Sequence, residues 1–290
     1  MAPLTTWKVG GSAEFLAVPR DLEDVLALFR LAGHRGWPVF FLGQGSNVLI
    51  ADSGLPGITL HLRKCFQKVE RREDTLRVGA GVALPRLAQI LADWGVGGFE
   101  FLAGIPGTVG AAVRLNAGAH GSNLGQHLRR VWVVTPQLEV REMTATELAL
   151  GYRFSRLLQE PRWLVVEAEL ALTEEASPLV IRGRMRELLD WRRKHQPRHP
   201  RTCGSVFKNP PEGPPAGRLL QEAGWKGKGC GPARVSAKHA NFIINLGGAS
   251  ATQIESLING ITEDIWRRFG IRLDREVVFL PQDIYGSKGA

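Results

Sequence analysis

The sequence has few cysteines and no long apolar run. These two shortages argue against a disulfide-rich protein, a cysteine metal site and a membrane protein. Its three cysteines, Cys65, Cys203 and Cys230, are widely spaced, which suits neither a disulfide framework nor a metal site built from close ligand pairs. No apolar stretch approaches the ~20 residues that span a bilayer. The first residues also lack the basic flank and apolar stretch of a secretory signal. We therefore expect a cytoplasmic protein with no metal and no membrane association.

Acidic residues are outnumbered by basic ones, which favours anionic ligands. The chain has 37 Lys and Arg against 28 Asp and Glu, a formal charge of +9, and such a field attracts nucleic acids or nucleotide diphosphates. The densest basic stretch spans residues 182–201. An RNA-binding module around this stretch is one hypothesis, although the stretch has little aromatic interleaving for base stacking. A solvated helix face is the alternative for its first half.

Length and composition predict a folded protein with more than one core. The 290 residues are enough for two or three cores, and 44% hydrophobic with 22% charged residues is typical of globular proteins. Helix signals include Asp21 as an N-cap, Pro85 at a helix start, and a capping-box pattern at Thr252 and Glu255.

Strand candidates lie between these helices as short β-branched and aromatic runs. They span residues 39–42, 48–50, 131–134, 164–168, 242–244 and 277–279. Since helices and strands do not alternate regularly, the order favours an α+β fold over a doubly wound parallel sheet.

A first glycine loop consists of Gly43, Gln44, Gly45, Ser46 and Asn47. It begins as Gly-x-Gly, but the third glycine of a dinucleotide fingerprint and the lysine of a P-loop are absent. Its backbone amides and polar side chains could cradle an anion. A plain turn between two strands is the alternative.

A second glycine loop spans residues 103–112, where Gly104, Gly107 and Gly110 recur at every third position. Pro106 stands where a helical turn could begin, so a helix N-terminus could donate to phosphate. Residues 116–121 then expose further backbone. Glycines kept only for helix packing are the alternative.

The segment 202–210 combines Ser205, Lys208 and Asn209 in a turn bracketed by glycine and proline. Gly204 lets the backbone approach a ligand closely. Lys208 and Asn209 can hold an anionic or hydroxylated ligand, with Ser205 as a proton donor beside it. An ordinary surface loop is the alternative.

Taken in order along the chain, these segments resemble the UDP-N-acetylenolpyruvoylglucosamine reductase family. The two glycine loops resemble the flavin-diphosphate site of the vanillyl-alcohol-oxidase (PCMH) type of FAD-binding fold. The matching segments are 7–13 (WKVGGSA), 43–47 (GQGSN), 103–110 (AGIPGTVG), 116–119 (NAGA), 151–155 (GYRFS), 204–210 (GSVFKNP), 238–242 (KHANF) and 275–277 (REV). No insertion resembles the tyrosine-bearing lid of the longer branch, so the shorter branch is indicated. Ala111 and His120 depart from the family's usual glycine and tyrosine.

The resemblance implies an α+β organisation in three parts. Residues 1–65 and 66–195 would form two FAD-binding subdomains, and residues 196–276 a smaller substrate-binding domain. The tail 277–290 would return to the first subdomain. The family uses NADPH as the electron source and non-covalent FAD as the carrier to reduce the enolpyruvyl double bond of a UDP-sugar in peptidoglycan precursor synthesis. We expect a monomer acting on these small molecules, without nucleic acid.

The resemblance also implies roles for individual residues. Arg153 would bind the substrate carboxylate, Ser205 would donate the proton, and Glu276 would act in its protonated form. Cofactor contacts are expected from the glycine-rich segments, at Gly43, Gln44, Gly45, Ser46, Asn47, Gly104, Ile105, Pro106, Gly107, Thr108, Gly110, Asn116, Gly118 and Ala119. Substrate contacts are expected at Tyr152, Arg192, Arg193, Lys208, Asn209 and His239.

Another flavoprotein on the same fold, such as an alcohol oxidase, stays open as an alternative. It would keep the two glycine loops but would not need Ser205, Lys208 and Asn209 together.

Overall fold

A computed structural model describes residues 1–285 and confirms the α+β class. Its strands are β1 Ala13–Ala17, β2 Val39–Leu42, β3 Val48–Ile50, β4 Leu55–His61, β5 Val69–Arg72, β6 Thr75–Gly79, β7 Val96–Gly97, β8 Gly118–Ala119, β9 Ser122–Asn123, β10 Leu128–Val134, β11 Val140–Thr144, β12 Leu164–Ala171, β13 Glu174–Glu175, β14 Thr202–Ser205, β15 Gly229–Cys230, β16 Ala233–Val235, β17 Phe242–Asn245 and β18 Val278–Leu280.

The helices alternate irregularly with these strands. The α-helices are α1 Leu22–Arg35, α2 Leu84–Asp93, α3 Val109–Leu115, α4 Pro178–His195, α5 Ala216–Glu222, α6 Ala251–Phe269 and α7 Gln282–Tyr285. Short 3-10 helices are Ala2–Leu4, Leu62–Lys64, Glu100–Gly104, Leu124–Gln126 and Arg156–Leu158. Within residues 1–285, none of the helices combines the length and apolar character needed to cross a membrane.

Backbone contacts divide the chain into two compact units. Unit 1 holds residues 1–14, 45–56 and the described residues from 193 onward, and unit 2 holds residues 15–44 and 57–192. The three-part division predicted from the sequence follows chain order. The contacts group the first residues with the C-terminal part, and the three-part division stays a prediction.

The C-terminal part of the described chain forms a strand that pairs with β3. Strand β18 lies parallel to β3, with Phe279 opposite Leu49. Residues 286–290 of the predicted tail 277–290 lie outside the described residues.

Unit 2 is built on an antiparallel sheet in the order β11-β10-β12-β6-β5. Both faces of this sheet are covered. Val165 and Ala168 of β12 pack into a core with Leu76 and Leu87, whereas Leu164 packs into a second core with α1. A register shift opposite Trp132 and Val133 makes Val166 an extra residue on β12, which changes the phase of the alternation. Burial on both sides explains why residues 164–166 form a continuous apolar run within the predicted strand 164–168.

Of the three helix starts predicted in unit 2, two lie where the sequence indicates. Asp21 caps α1 by accepting a hydrogen bond from the Asp24 amide at 2.9 Å, and Pro85 lies in the first turn of α2. The helix expected near Pro106 begins only at Val109.

Unit 1 has a four-stranded antiparallel sheet in the order β14-β17-β16-β15, with α5 and α6 packed in its core. Trp7 from the N-terminus is wholly buried in this core. Its indole Nε1 donates to the Ile243 carbonyl of β17 at 2.8 Å, and Asn245 donates to the Trp7 carbonyl at 2.8 Å. The first residues are therefore part of the C-terminal core.

The predicted capping box of α6 lies two residues too late in the sequence. The N-cap is Ser250, whose side chain accepts from the Gln253 amide at 3.0 Å, with Gln253 as its capping-box partner. Thr252 already lies inside the helix, because the Asp52 carboxylate accepts from the first two helical amides, those of Ala251 at 2.8 Å and Thr252 at 2.9 Å. A residue 200 positions away thus decides the start of this helix.

Replacing the buried Trp7 with phenylalanine should destabilise the fold. The ring would leave a small cavity and the Nε1 hydrogen bond would be lost, so we expect a loss of about 1–3 kcal/mol. Trp266→Phe is the matched control, since Trp266 is 49% exposed, and it should change stability by less than about 0.5 kcal/mol. Urea unfolding at unchanged slope gives both values, and equal midpoints for the two variants would contradict the assignment.

Candidate active site

The two glycine loops meet in unit 2. The side-chain oxygen of Gln44 accepts a hydrogen bond from the Gly107 amide at 3.1 Å. A Cβ added to Gly43 would lie 3.0 Å from Thr108 Oγ1, so a side chain there would crowd the second loop. Gly107 has φ 138, a conformation that L side chains rarely adopt. The loops therefore form one small-residue surface.

A cleft of about 100 Å³ opens beside this surface. Its lining combines small loop residues with apolar and aromatic walls: Phe41, Gly43, Leu62, Ala80, Thr108, Gly110, Ala111, Arg114, Trp163, Leu164 and Val165. A Cβ on Gly110 would lie 2.9 Å from the Ala80 side chain, whereas the methyl group of Ala111 is accommodated and exposed. The cleft suits a flat or small ligand group resting on backbone.

The first amides of α3 are already used within the protein. Val109 donates to the Val82 carbonyl and Gly110 to the Ala80 carbonyl, both at 2.9 Å. The expectation that this helix N-terminus donates to phosphate therefore does not hold for these two amides. Other groups of the loops have to supply the donors.

Arg114 brings a positive charge to the cleft, and sequence reasoning missed it. Its guanidinium donates to the Trp163 carbonyl at 2.9 Å and the Glu160 carbonyl at 3.0 Å. Burial lowers its pKa to about 10, while the charge of Glu160 opposes that shift. It thus keeps its proton at neutral pH. The available signal was its position one helical turn after Gly110, on the same face of α3.

Arg153 lies on a tight turn that Asn116 supports. Gly151 and Phe154 form an antiparallel bridge around Tyr152 and Arg153, and Arg153 has a left-handed φ of 51. The Asn116 side chain donates to the Gly151 carbonyl at 2.9 Å and accepts from the Gly125 amide at 2.8 Å. The Asn116 carboxamide, which we expected to contact the cofactor, therefore holds this turn.

The guanidinium of Arg153 is directed by a second segment of the same unit. It donates to the Gly118 carbonyl at 3.0 Å. Next to Gly118 and Ala119, His120 occupies the turn between β8 and β9 with φ 55. The His120 ring lies edge-on to Trp191 at 5.1 Å.

Arg192 joins this group from α4. Its Cδ would lie 2.6 Å from a Cβ on Gly104, so the side chain rests on the second glycine loop. Burial and the nearby charge of Arg153 both lower the pKa of Arg192. Two arginines close enough to repel one another form a natural site for an anion. Tyr152, 60% exposed, has the Arg153 guanidinium 5.5 Å from its ring.

In unit 1, the segment that follows Ser205 pairs with the segment that contains Glu276. Phe207 and Arg275 form an antiparallel bridge, and the Glu276 amide donates to the Val206 carbonyl at 2.8 Å. The Asn47 side chain donates to the Glu276 carbonyl at 2.9 Å. Ser205 ends β14 directly after Gly204, whose φ is 88.

Lys208 and Asn209 follow on the same strand segment. The Lys208 amide donates to the Asp274 carbonyl at 2.9 Å. The Asn209 side chain accepts from the Ala216 amide at 3.1 Å and so caps α5. Part of the Asn209 carboxamide is thereby used in the fold.

Cys203 is a poor rival to Ser205 as a proton donor. Burial raises the pKa of the Cys203 thiol well above its usual value. Cys203 is 6% exposed, so its buried thiol is not accessible to a ligand, whereas Ser205 is only partly buried.

His239 and Arg193 complete the predicted set in unit 1. His239 Nδ1 accepts from the Asn241 amide at 3.2 Å, which leaves Nε2 as the ring donor. Burial first, and then Lys226, lower the pKa of His239. Arg193 is exposed, and its carbonyl accepts from Lys238 Nζ at 2.6 Å.

Two family models match most of this chain. The profile of an FAD binding domain matches residues 13–144, and that of the UDP-N-acetylenolpyruvoylglucosamine reductase C-terminal domain matches residues 196–280. The chain is 41% identical to UDP-N-acetylenolpyruvoylglucosamine reductase 2 of Symbiobacterium thermophilum, over 94% of this chain and 88% of the relative. It is 40% identical to the reductase of Halalkalibacterium halodurans, over 96% of this chain and 91% of the relative.

A solved structure gives the same relationship in three dimensions. The crystal structure of UDP-N-acetylenolpyruvylglucosamine reductase from Thermus caldophilus matches this chain with a TM-score of 0.81 and 34% identity, covering 97% of each chain.

A methyl group at Gly43 should weaken FAD binding. Gly43→Ala would place the new Cβ 3.0 Å from Thr108 Oγ1 and crowd the cleft, so we expect the Kd for FAD to rise by about tenfold or more. Gly33→Ala is the control, because nothing lies within 4 Å of a Cβ at that helical position. Titration of the apoprotein with FAD measures both, and an unchanged Kd for Gly43→Ala would contradict the placement.

Proposed function

We propose roles for individual residues from one premise, which is that the chain belongs to the UDP-N-acetylenolpyruvoylglucosamine reductase family. It is accordingly an FAD-dependent oxidoreductase that converts UDP-N-acetylglucosamine-enolpyruvate to UDP-N-acetylmuramate, with NADPH as the electron source. The observation that carries the assignment of its chemistry is the pairing of the Ser205–Lys208 segment with Glu276.

The glycine loops are proposed to hold FAD without a covalent bond. Gly43, Gln44, Gly107, Thr108 and the cleft beside them fit a group that lies on backbone, and Arg114 supplies a cation for its phosphates. When bound, FAD supplies a ring that NADPH reduces and that passes the electrons to the enolpyruvyl double bond.

The remaining predicted cofactor residues belong to the same loops or support them. These are Gly45, Ser46, Asn47, Gly104, Ile105, Pro106, Gly110, Asn116, Gly118 and Ala119. Asn47 and Asn116 are proposed to act through the backbone that their side chains hold, since each donates to a catalytic segment.

Arg153 is proposed to bind the substrate carboxylate, with Tyr152 and Arg192 beside it. Reduction of the double bond develops negative charge next to that carboxylate. A guanidinium fork can stabilise this charge through two parallel hydrogen bonds. The left-handed φ of Arg153 is held by the bridge between Gly151 and Phe154, as is common where a functional side chain has to be aimed.

Ser205 is proposed to donate the proton that completes the reduction. A serine hydroxyl is a weak acid, but a carbanion-like acceptor is basic enough to take its proton. The positive charge of Lys208 can stabilise the resulting alkoxide. Glu276 in its protonated form would donate a hydrogen bond to the substrate carboxylate. Its backbone is fixed on both sides, by Val206 and by Asn47.

The basic side chains of unit 1 are proposed to hold the nucleotide. His239 can donate its Nε2 proton to a phosphate or carbonyl oxygen. The side chains of Arg193, Lys208 and Asn209 are proposed to add further hydrogen bonds to the nucleotide. The substrates are small molecules of the cytoplasm, where we propose that the enzyme acts as a monomer, independent of membranes.

The RNA-binding alternative loses support because acidic side chains partly neutralise the basic stretch. Arg182 pairs with Asp93 at 2.6 Å, and Arg184 pairs with Glu100 at 3.2 Å and with Glu174. Nucleic-acid surfaces depend on basic side chains that stay available to phosphates.

Ser205→Ala should separate the two half-reactions. Flavin reduction by NADPH should proceed at the wild-type rate, whereas reoxidation by the enolpyruvyl sugar nucleotide should slow by about 10²–10⁴-fold because the proton donor is missing. Stopped-flow absorbance of the flavin measures both steps.

Cys203→Ala serves as the control for this experiment. Since the thiol is buried and strongly protonated, its loss should leave both half-reactions within a few fold of wild type. Wild-type reoxidation in Ser205→Ala, or a selective loss in Cys203→Ala, would remove Ser205 from the proposed role.

Arg153→Lys should weaken the use of the sugar nucleotide while NADPH still reduces the flavin. Lysine keeps the charge but not the fork, so kcat/KM for the sugar nucleotide should fall by about 10–100-fold. Arg156→Lys, at an exposed position three residues away, should change it little. Steady-state kinetics with each substrate varied checks this, and equal values in the two variants would contradict the role of Arg153.

A further inference from the structure

We propose that Arg184 is a positioning residue for FAD and substrate binding, because it holds Glu100 at the start of the 3-10 helix that leads into the second glycine loop. The inference rests on the proposed function of that loop. It concerns a residue of unit 2 that none of the site motifs contains.

The first support is the burial of Glu100. The Glu100 side chain is 9% exposed, and a buried charge is costly unless it is paired. Arg184 Nη1 lies 3.2 Å from Glu100 Oε1 and also contacts the Glu174 carboxylate. In the described part of the chain, Arg184 is the one basic side chain paired with Glu100.

The second support is the direct covalent path from Glu100 to the loop. The 3-10 helix Glu100–Gly104 ends at the first glycine of the loop. Its turns are short and tightly bonded, with the Leu102 amide donating to Phe99 at 3.0 Å and the Ile105 amide donating to Leu102 at 3.1 Å. A displacement at Glu100 is therefore transmitted to Gly104 within two turns.

The third support is a second contact from the same helix. Arg192 follows Arg184 by eight residues, which places both on one face of α4. Arg184 holds the beginning of the 3-10 helix, and Arg192 rests on Gly104 at its end. Loss of the contact between Arg184 and Glu100 would therefore displace the Arg192 side chain as well as the loop.

The surroundings of Glu100 offer no substitute cation. His127 packs its ring 4.1 Å from Phe99, and its buried Nδ1 has no hydrogen-bond partner among the described residues. Burial lowers the pKa of His127, against the opposing effects of the Gly98 backbone and of Glu100 and Glu174. The imidazole is therefore neutral at physiological pH, and the charged groups that face Glu100 are Arg184 and Glu174.

The competing interpretation is an ordinary surface ion pair, which would contribute little. Arg182 provides the matched control for it. The Arg182 side chain is 51% exposed and that of Arg184 46%, both lie on α4, and each has a carboxylate partner. The pairs differ in the partner, because Asp93 is 48% exposed whereas Glu100 is 9% exposed.

The test compares FAD affinity of Arg184→Gln and Arg182→Gln apoproteins by titration with FAD, alongside urea unfolding of each. We expect Arg184→Gln to raise the Kd for FAD by about 10–100-fold, Arg184→Lys to recover most of the affinity, and Arg182→Gln to stay within about twofold of wild type. The KM for the sugar nucleotide should rise in Arg184→Gln through the displaced Arg192. Equal FAD affinity in Arg184→Gln and Arg182→Gln would overturn the proposal.

A double-mutant cycle keeps the proposal testable if Arg184→Gln unfolds easily. Glu100→Gln removes the buried charge, so Glu100→Gln/Arg184→Gln should fold better than Arg184→Gln alone and should show non-additive losses of FAD affinity. Additive losses would overturn the proposal. Failure of the wild-type protein to bind FAD would instead refute the proposed function, which the same titration reveals first.

Discussion

In each of the two units, the predicted site residues depend on asparagine side chains that hydrogen-bond to the backbone beside them. Asn47 donates to the Glu276 carbonyl, Asn116 to the Gly151 carbonyl, and Asn241 both donates to and accepts from the Phe207 backbone, at 2.8 and 2.9 Å. A buried backbone group without a partner is costly. The carboxamides meet that requirement and fix the backbone next to Ser205 and Glu276 in unit 1 and next to Arg153 in unit 2.

The arginines of this chain serve very different purposes despite their similar appearance in the sequence. Arg114 is enclosed beside the cleft, Arg153 is aimed by a left-handed turn, and Arg192 rests on a glycine. Arg182 and Arg184 are paired with carboxylates. The net charge of +9 therefore describes the field around the protein, whereas the surroundings of each guanidinium decide its chemistry.

Local patterns predicted the fold class and most elements, because they depend on neighbouring residues. The cap at Asp21, the helix start at Pro85 and the β-branched strand candidate at residues 164–168 all signal their structures within a few positions. The start of α6 was misplaced because Asp52 takes the hydrogen bonds of Thr252. No local pattern contains such a distant contact.

The same limit applies to the site. The motifs identified the glycine loops and the Ser205 segment, because the residue types and their spacing within a short stretch of sequence already indicate the chemistry. Arg114 and the partners of Glu100 were missed because their importance arises from burial and from pairs 84 residues apart. The supporting role of Asn116 likewise needs the Gly151 turn, which is 35 residues away.

The burial of Trp7 among residues near the other end of the chain has a consequence for biosynthesis. Ribosomes make the N-terminus first, and the Ile243 carbonyl that receives the indole proton emerges more than two hundred residues later. The strands of unit 2 can pair while translation continues. Trp7, in contrast, has no Ile243 carbonyl to bind until the ribosome has reached the last fifth of the protein. Chaperones that recognise exposed aromatic residues would meet Trp7 during this interval.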